Sequence, residues 1–138
     1  MLRPILLAAL VVAGACSAEL PAPGPGDPED VRSIRLYDGA GVDQTRHVFL
    51  FLDDTLRLEV RLFAADGGQL TDINGGVELT LTFTPDSVAA STPIPGQALR
   101  RAVTTTAASG TPGSLSVTLH FTAGSSDKTF GPFECLVH

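Results

Sequence analysis

Apolar and polar residues alternate with a period of two over three long stretches of the chain. Leu56, Leu58, Val60 and Leu62 alternate with Arg57, Glu59, Arg61 and Phe63. Val77, Leu79, Leu81 and Phe83 alternate with Glu78, Thr80, Thr82 and Thr84, and Leu115, Val117, Leu119 and Phe121 with Ser116, Thr118, His120 and Thr122. Successive side chains of a strand point to opposite faces, so each stretch predicts a half-buried antiparallel strand. The Thr-rich set suits a pleated face in water. Leu58, Val60, Leu79, Leu81, Val117 and Leu119 are expected inside, and Glu59, Thr80 and Thr118 outside. Weaker strands are predicted over 31–37, 48–52, 99–106 and 129–137. Gly- and Asx-rich turns punctuate the pattern at 38–41, 65–68, 74–76, 110–113 and 123–126. No run of ten or more residues carries a helical apolar period. Seven strands in about 100 residues is the size and rhythm of an Ig-like antiparallel β-sandwich over 31–138. A single barrel satisfies the same periodicity.

Ahead of the strands the pattern changes twice. Residues 1–15, MLRPILLAALVVAGA, place one early positive charge, Arg3, before an apolar run and then small residues. That is the plan of a secretory signal peptide. The run is shorter than the roughly 20 apolar residues a spanning helix needs. Val12-Ala13-Gly14-Ala15-Cys16 resembles the lipobox of bacterial lipoproteins, in which a peptidase cuts before a cysteine that receives lipid. Gly14 and Ala15 supply the small residues at the cut, while Ala13 departs from the larger aliphatic residue usual there. The resemblance implies cleavage after Ala15, lipid attachment at Cys16 and a bacterial envelope location. Ser17 stands where an inner-membrane retention Asp would be, which implies the outer membrane. Ala13-Gly14-Ala15 also satisfies the ordinary A-x-A rule, so plain secretion into the periplasm or beyond is the alternative. Residues 17–30, SAELPAPGPGDPED, carry four prolines and four acids. The stretch 16–30 is therefore expected to be a lipidated, disordered tether, spanning roughly 40 Å if extended.

The segment 55–91, TLRLEVRLFAADGGQLTDINGGVELTLTFTPDSVAAS, resembles the bacterial Ig-like domains of surface and secreted proteins. Those domains join two alternating strands through a D-x-x-G-type turn and follow them with a D-P-S-V-A-like stretch. Asp86-Ser87-Val88-Ala89 occupies that last place, and Gly113-Ser114-Leu115-Ser116-Val117-Thr118 resembles a later strand. Phe83 stands where the family usually has Trp. The resemblance implies a sandwich and leaves function open.

Charge and chemistry narrow the function by exclusion. Nine Lys and Arg against fifteen Asp and Glu give a net charge of −6, no footprint for nucleic acid or anionic headgroups. Two cysteines, Cys16 and Cys135, allow neither a disulfide framework nor a multi-cysteine metal site. Cys135 shares a strand face with Phe133 and Val137, which predicts a buried thiol. Cys135 and His138 have the spacing of half a metal site, and a terminal strand is the competing account. Asp53, Asp54, Asp66 and Asp72 are candidate calcium ligands or ordinary turn residues. Arg100-Arg101, beside a flexible Pro-rich loop expected over 92–98, is either a site for an acidic partner or a solvated strand edge. His47 precedes an apolar strand, and His120 falls on a polar face with no buried carboxylate expected beside it. No G-x-S-x-G, S-x-x-K, G-x-G-x-x-G or Walker loop is present. The sequence is therefore read as a non-enzymatic binding or structural module, with no catalytic residue, cofactor or metal. Its expected partners are a membrane, through lipid on Cys16, and a protein or glycan. A small hydrolase or hydrolase inhibitor on the same scaffold is the alternative.

Overall fold

The computed structural model describes residues 21–138, so the expected signal peptide and Cys16 lie outside the described residues. The fold is an all-β sandwich of two sheets and ten strands: β1 Gly24–Gly26, β2 Ser33–Tyr37, β3 Val48–Leu50, β4 Thr55–Phe63, β5 Gln69–Ile73, β6 Val77–Thr84, β7 Ala90–Ile94, β8 Gln97–Thr104, β9 Pro112–Phe121 and β10 Lys128–Val137. Short 3-10 turns cover Pro28–Asp30 and Asp86–Val88. No described helix is long and apolar enough to cross a membrane.

The smaller sheet has the order β3-β10-β9-β6. The larger runs β1-β5-β4-β8-β7, with β2 on the other edge of β4. Most pairings are antiparallel, but β1 lies parallel to β5 and β3 parallel to β10. The period-two register holds: Leu58, Val60, Leu79, Val117 and Leu119 are all buried, and Leu81 packs half-buried against them. Val88, within the stretch likened to D-P-S-V-A, is fully buried.

Three strands were not expected, each for a physical reason. β5 is five residues wedged between two turns, too short to show a period. β7 contains Pro93, which an edge strand tolerates because its N–H would face outward. β1 corrects the expected tether, which gives way to ordered chain from Gly24. Its Gly-Pro-Gly brings no apolar side chains, but it pairs through the backbone with β5 and passes close to Leu70. A Cβ at Gly26 would sit 2.6 Å from a Leu70 methyl, so that approach requires glycine. Asn74 N donates to Gly26 O at 2.9 Å, and Asn74 Nδ2 to Asp27 Oδ1 at 3.0 Å. Pro28 is buried, which seats the acidic 3-10 turn against the sandwich.

Candidate functional site

The pairing of β4 gathers the arginines. Glu59 lies opposite both Tyr37 of β2 and Arg100 of β8, and Arg61 lies opposite Arg35 of β2. Alternation then puts Arg57, Glu59 and Arg61 on the outer face, with Leu58 and Val60 in the core. Arg35, Arg57, Arg61 and Arg100 thus share one surface with Glu59 as its central acid, while Arg32, Arg46, Arg101 and Lys128 are the other cations of residues 21–138. A chain of net charge −6 carries half of its described cations on one sheet face.

These side chains hold one another in place. Arg61 Nε donates to Glu59 Oε1 at 2.9 Å, and Arg100 Nη2 donates to Glu59 Oε2 at 3.2 Å. Arg100 Nη1 also donates to Gln97 Oε1 at 3.3 Å. The Arg61 guanidinium lies over the Tyr37 ring, 3.8 Å from its centroid, and that of Arg35 over Phe63 at 5.5 Å. The Glu59 carboxylate, through its hydrogen bond, holds the Arg61 pKa above its ordinary value. Arg57 is exposed and makes no side-chain hydrogen bond or ion pair among the described residues.

A split in the larger sheet adds relief to this face. β8 covers β4 as far as Glu59, and β5 takes over only at Leu62. Both lie on the edge opposite β2, so the edge between them is uncovered. A hollow of about 430 Å³ opens at this fork, lined by Arg61 and Arg100, by the acids Glu59 and Asp72, and by Gln69, Thr71 and Gln97 among others. A neighbouring hollow of about 330 Å³ lies between the Asp38–Gly41 turn and Arg57, Arg61, Arg100 and Gln97. Asp38 also borders it, but its carboxylate is taken up by Ala40 N, Val42 N and Gln44 Nε2.

The adjacent Arg100 and Arg101 part company. Arg100 joins the outer face, whereas Arg101 lies opposite buried Leu58 and turns toward the space between the sheets. Its Nη2 donates to the Leu79 carbonyl of β6, tying the larger sheet to the smaller. The stretch 92–98 is no loose loop, since it forms the end of β7, a tight turn and the start of β8.

The smaller sheet presents a different row. His120 stays on the outer face but is bonded at both ring nitrogens, with Thr80 Oγ1 2.9 Å from Nε2 and Asp127 Oδ2 2.8 Å from Nδ1. Hydroxyl, imidazole and carboxylate stand in the order of a general-base relay. The His120 and Asp127 side chains are 43% and 53% exposed, so burial does not enclose the relay. His47 is drawn to Glu134 at 3.4 Å and stacks on Phe49, which in turn meets His138. Cys135 is buried, and burial pushes its thiol pKa up to about 11. Of the candidate calcium acids, Asp66 Oδ1 accepts from Gly68 N and Asp54 Oδ1 from Thr55 N, Asp72 Oδ1 accepts from Ile73 N within β5, and Asp53 takes the left-handed backbone of a turn at φ 64°. Among the described residues no three His, Cys, Asp or Glu side chains gather to hold a metal.

Sequence reasoning named Arg100 and missed its companions. Alternation already placed Arg57 and Arg61 on one face. Joining Arg35 and Arg100 to them needed the cross-strand register, which no local pattern encodes. The chain matches no protein-family model and no curated protein sequence.

Proposed function

We infer that this is a non-enzymatic binding module of the bacterial envelope, an Ig-like sandwich anchored through lipid on Cys16, with the outer membrane as its station. The observation that supports this reading is the pre-set arginine face. Glu59 and Tyr37 hold Arg61 in place, and Glu59 and Gln97 hold Arg100, before any partner arrives. Side chains ordered in advance lose less rotamer entropy on binding, which favours affinity. The lipid would hold the domain at a membrane, and the face would meet a protein or glycan there.

A second reading, a small hydrolase, rests on the Thr80–His120–Asp127 row. Such a relay needs burial or close charges to tune its groups, and an exposed sheet face supplies little of either. Capture of envelope protein or glycan by the detergent-solubilised, lipidated protein separates the two readings. Arg57→Gln with Arg100→Gln should abolish capture, and Thr80→Ala with His120→Ala should leave it intact. Loss with the second pair alone, together with ester or glycoside turnover that disappears in it, would reverse the assignment.

A further inference from the structure

We propose that the open edge of β6 takes an extended peptide as a further strand of the smaller sheet, with the peptide's terminal carboxylate on Arg101 and its apolar last side chain in the hollow beside it. This surface is separate from the arginine face and does not depend on it. Gly76 O, just ahead of β6, accepts from Thr122 N at 3.2 Å. Even-numbered residues of β6 therefore turn their backbone groups to β9, and odd-numbered residues turn theirs outward. Of the outward groups of Leu79, Leu81 and Phe83, only the Leu79 carbonyl has a partner among the described residues, Arg101 Nη2. An edge of this kind is a template for pairing unless it is short, interrupted or capped. The other margins are guarded in those ways. β1 and β3 have three residues each, and Phe49 N of β3 donates to Gln44 Oε1. β7 holds Pro93 and a register shift, and the outer side of β2 is capped at Leu36 by Gln44 N and Thr45 Oγ1. β6 runs eight residues with no proline, lysine or register shift.

The surroundings select the occupant. A hollow of about 670 Å³ lies between the start of β6 and the β7–β8 turn, lined by Val77, Pro93, Ile94 and Ala98 among others, with Glu78 and Arg101 also at its wall. These two charges belong to opposite faces of β6. Glu78 lies on the outer face opposite His120, whereas Arg101 lies between the sheets. Arg101 is half-buried and makes no ion pair among the described residues, so the inner side of the hollow carries a cation without an acid. A carboxylate is its complement. A chain laid antiparallel to β6 and bonded at Phe83 and Leu81 ends beside Leu79 N and Arg101, where its terminal carboxylate meets both. Its last side chain, opposite Leu79, then points inward to the hollow. A second copy pairing through its own β6 supplies neither group. Val77, Leu79 and Phe83 are buried in its own core, and its Glu78 lies on the outer face.

The test is titration of the full chain, as processed by the cell, with a short synthetic peptide of alternating Thr and Val that ends in Val with a free carboxylate. The same peptide with its C-terminus amidated is the control. The free acid should bind and should protect the Leu79, Leu81 and Phe83 amides from hydrogen exchange, leaving Phe51 beside β3 unchanged. The amidated peptide should bind at least tenfold more weakly, the scale of one charge-assisted bond. Arg101→Met should bind the two peptides alike, and the same comparison on wild type decides the matter where that variant is too unstable to titrate. Equal binding of both peptides by wild type, protection at β3 instead of β6, or no binding would overturn the proposal. Protection of the same three amides in the free protein, rising with protein concentration, would place a second copy at the edge and overturn it too. Capture through Arg57 and Arg100 is read separately, so either surface can fail without the other.

Discussion

The Arg61 guanidinium lies 3.8 Å from the centre of the Tyr37 ring, on the strand next to its own. With Glu59 on its other side, Arg61 is held by a ring and a carboxylate at once. An exposed cation–π contact contributes about 0.5–1 kcal/mol. Tyr37→Leu should therefore cost about that much stability and weaken binding at the face several-fold. Tyr37→Phe, which keeps the ring, should stay near wild type in both. Paired urea melts and titrations check this.

Arg101 should behave as a structural residue although its neighbour Arg100 does not. Its bond to the Leu79 carbonyl crosses from β8 to β6, half-buried between the sheets. A hydrogen bond from a charged donor contributes about 1.5–3 kcal/mol. Arg101→Met should lower the urea midpoint accordingly and leave binding at the face unchanged. Arg100→Gln should do the opposite, because its pair with Glu59 is exposed and contributes at most about 1 kcal/mol.

Cys135 gives the fold an alkaline limit. Burial raises its thiol pKa to about 11, so the folded chain holds this proton more tightly than the unfolded chain does. Its contribution to stability is complete below the ordinary thiol range and is lost as pH rises through the folded value, about 11. The share of the slope between those limits that comes from this thiol should be lost in Cys135→Ala, so its stability should fall less steeply than that of wild type in melts across that range. Folded protein at pH 8 should resist alkylation at Cys135, and urea should release it.

Lipid on Cys16 would make the protein a membrane resident. A fatty-acid probe should label the wild type, and Cys16→Ser should accumulate as an unlabelled precursor. One acyl chain binds a membrane only marginally, whereas two or more anchor it stably. Carbonate washing should thus leave wild type in the membrane pellet. Normal processing of the variant alongside an unlabelled wild type would point to plain secretion.

Legibility followed the physics of each element. Long alternating strands such as β4, β6 and β9 declare which residues are buried, because a one-residue slip would turn every side chain to the wrong face. Leu79 inside and Thr80 outside follow from that constraint alone. β1 and β5 do not declare themselves, because Gly24–Gly26 joins the sheet through backbone groups that every residue carries. The arginine face fell between these cases. Its members are strand residues of the right parity, but their meeting depends on Glu59 pairing with Tyr37 on one side and Arg100 on the other. The relay at His120 was hidden for a similar reason, since Thr80 and Asp127 come from the strand on one side and a turn near the strand on the other.

The central claim is that the domain acts through the outer face of its larger sheet, and arginine footprinting tests it most directly. The lipidated protein would be treated with phenylglyoxal alone and in contact with envelope material, and the modified arginines read by mass spectrometry. Arg57 and Arg100 should be protected by the envelope, while Arg46, off the fork, should react at an unchanged rate. Unchanged modification of Arg57 and Arg100 in contact with the envelope would contradict the account.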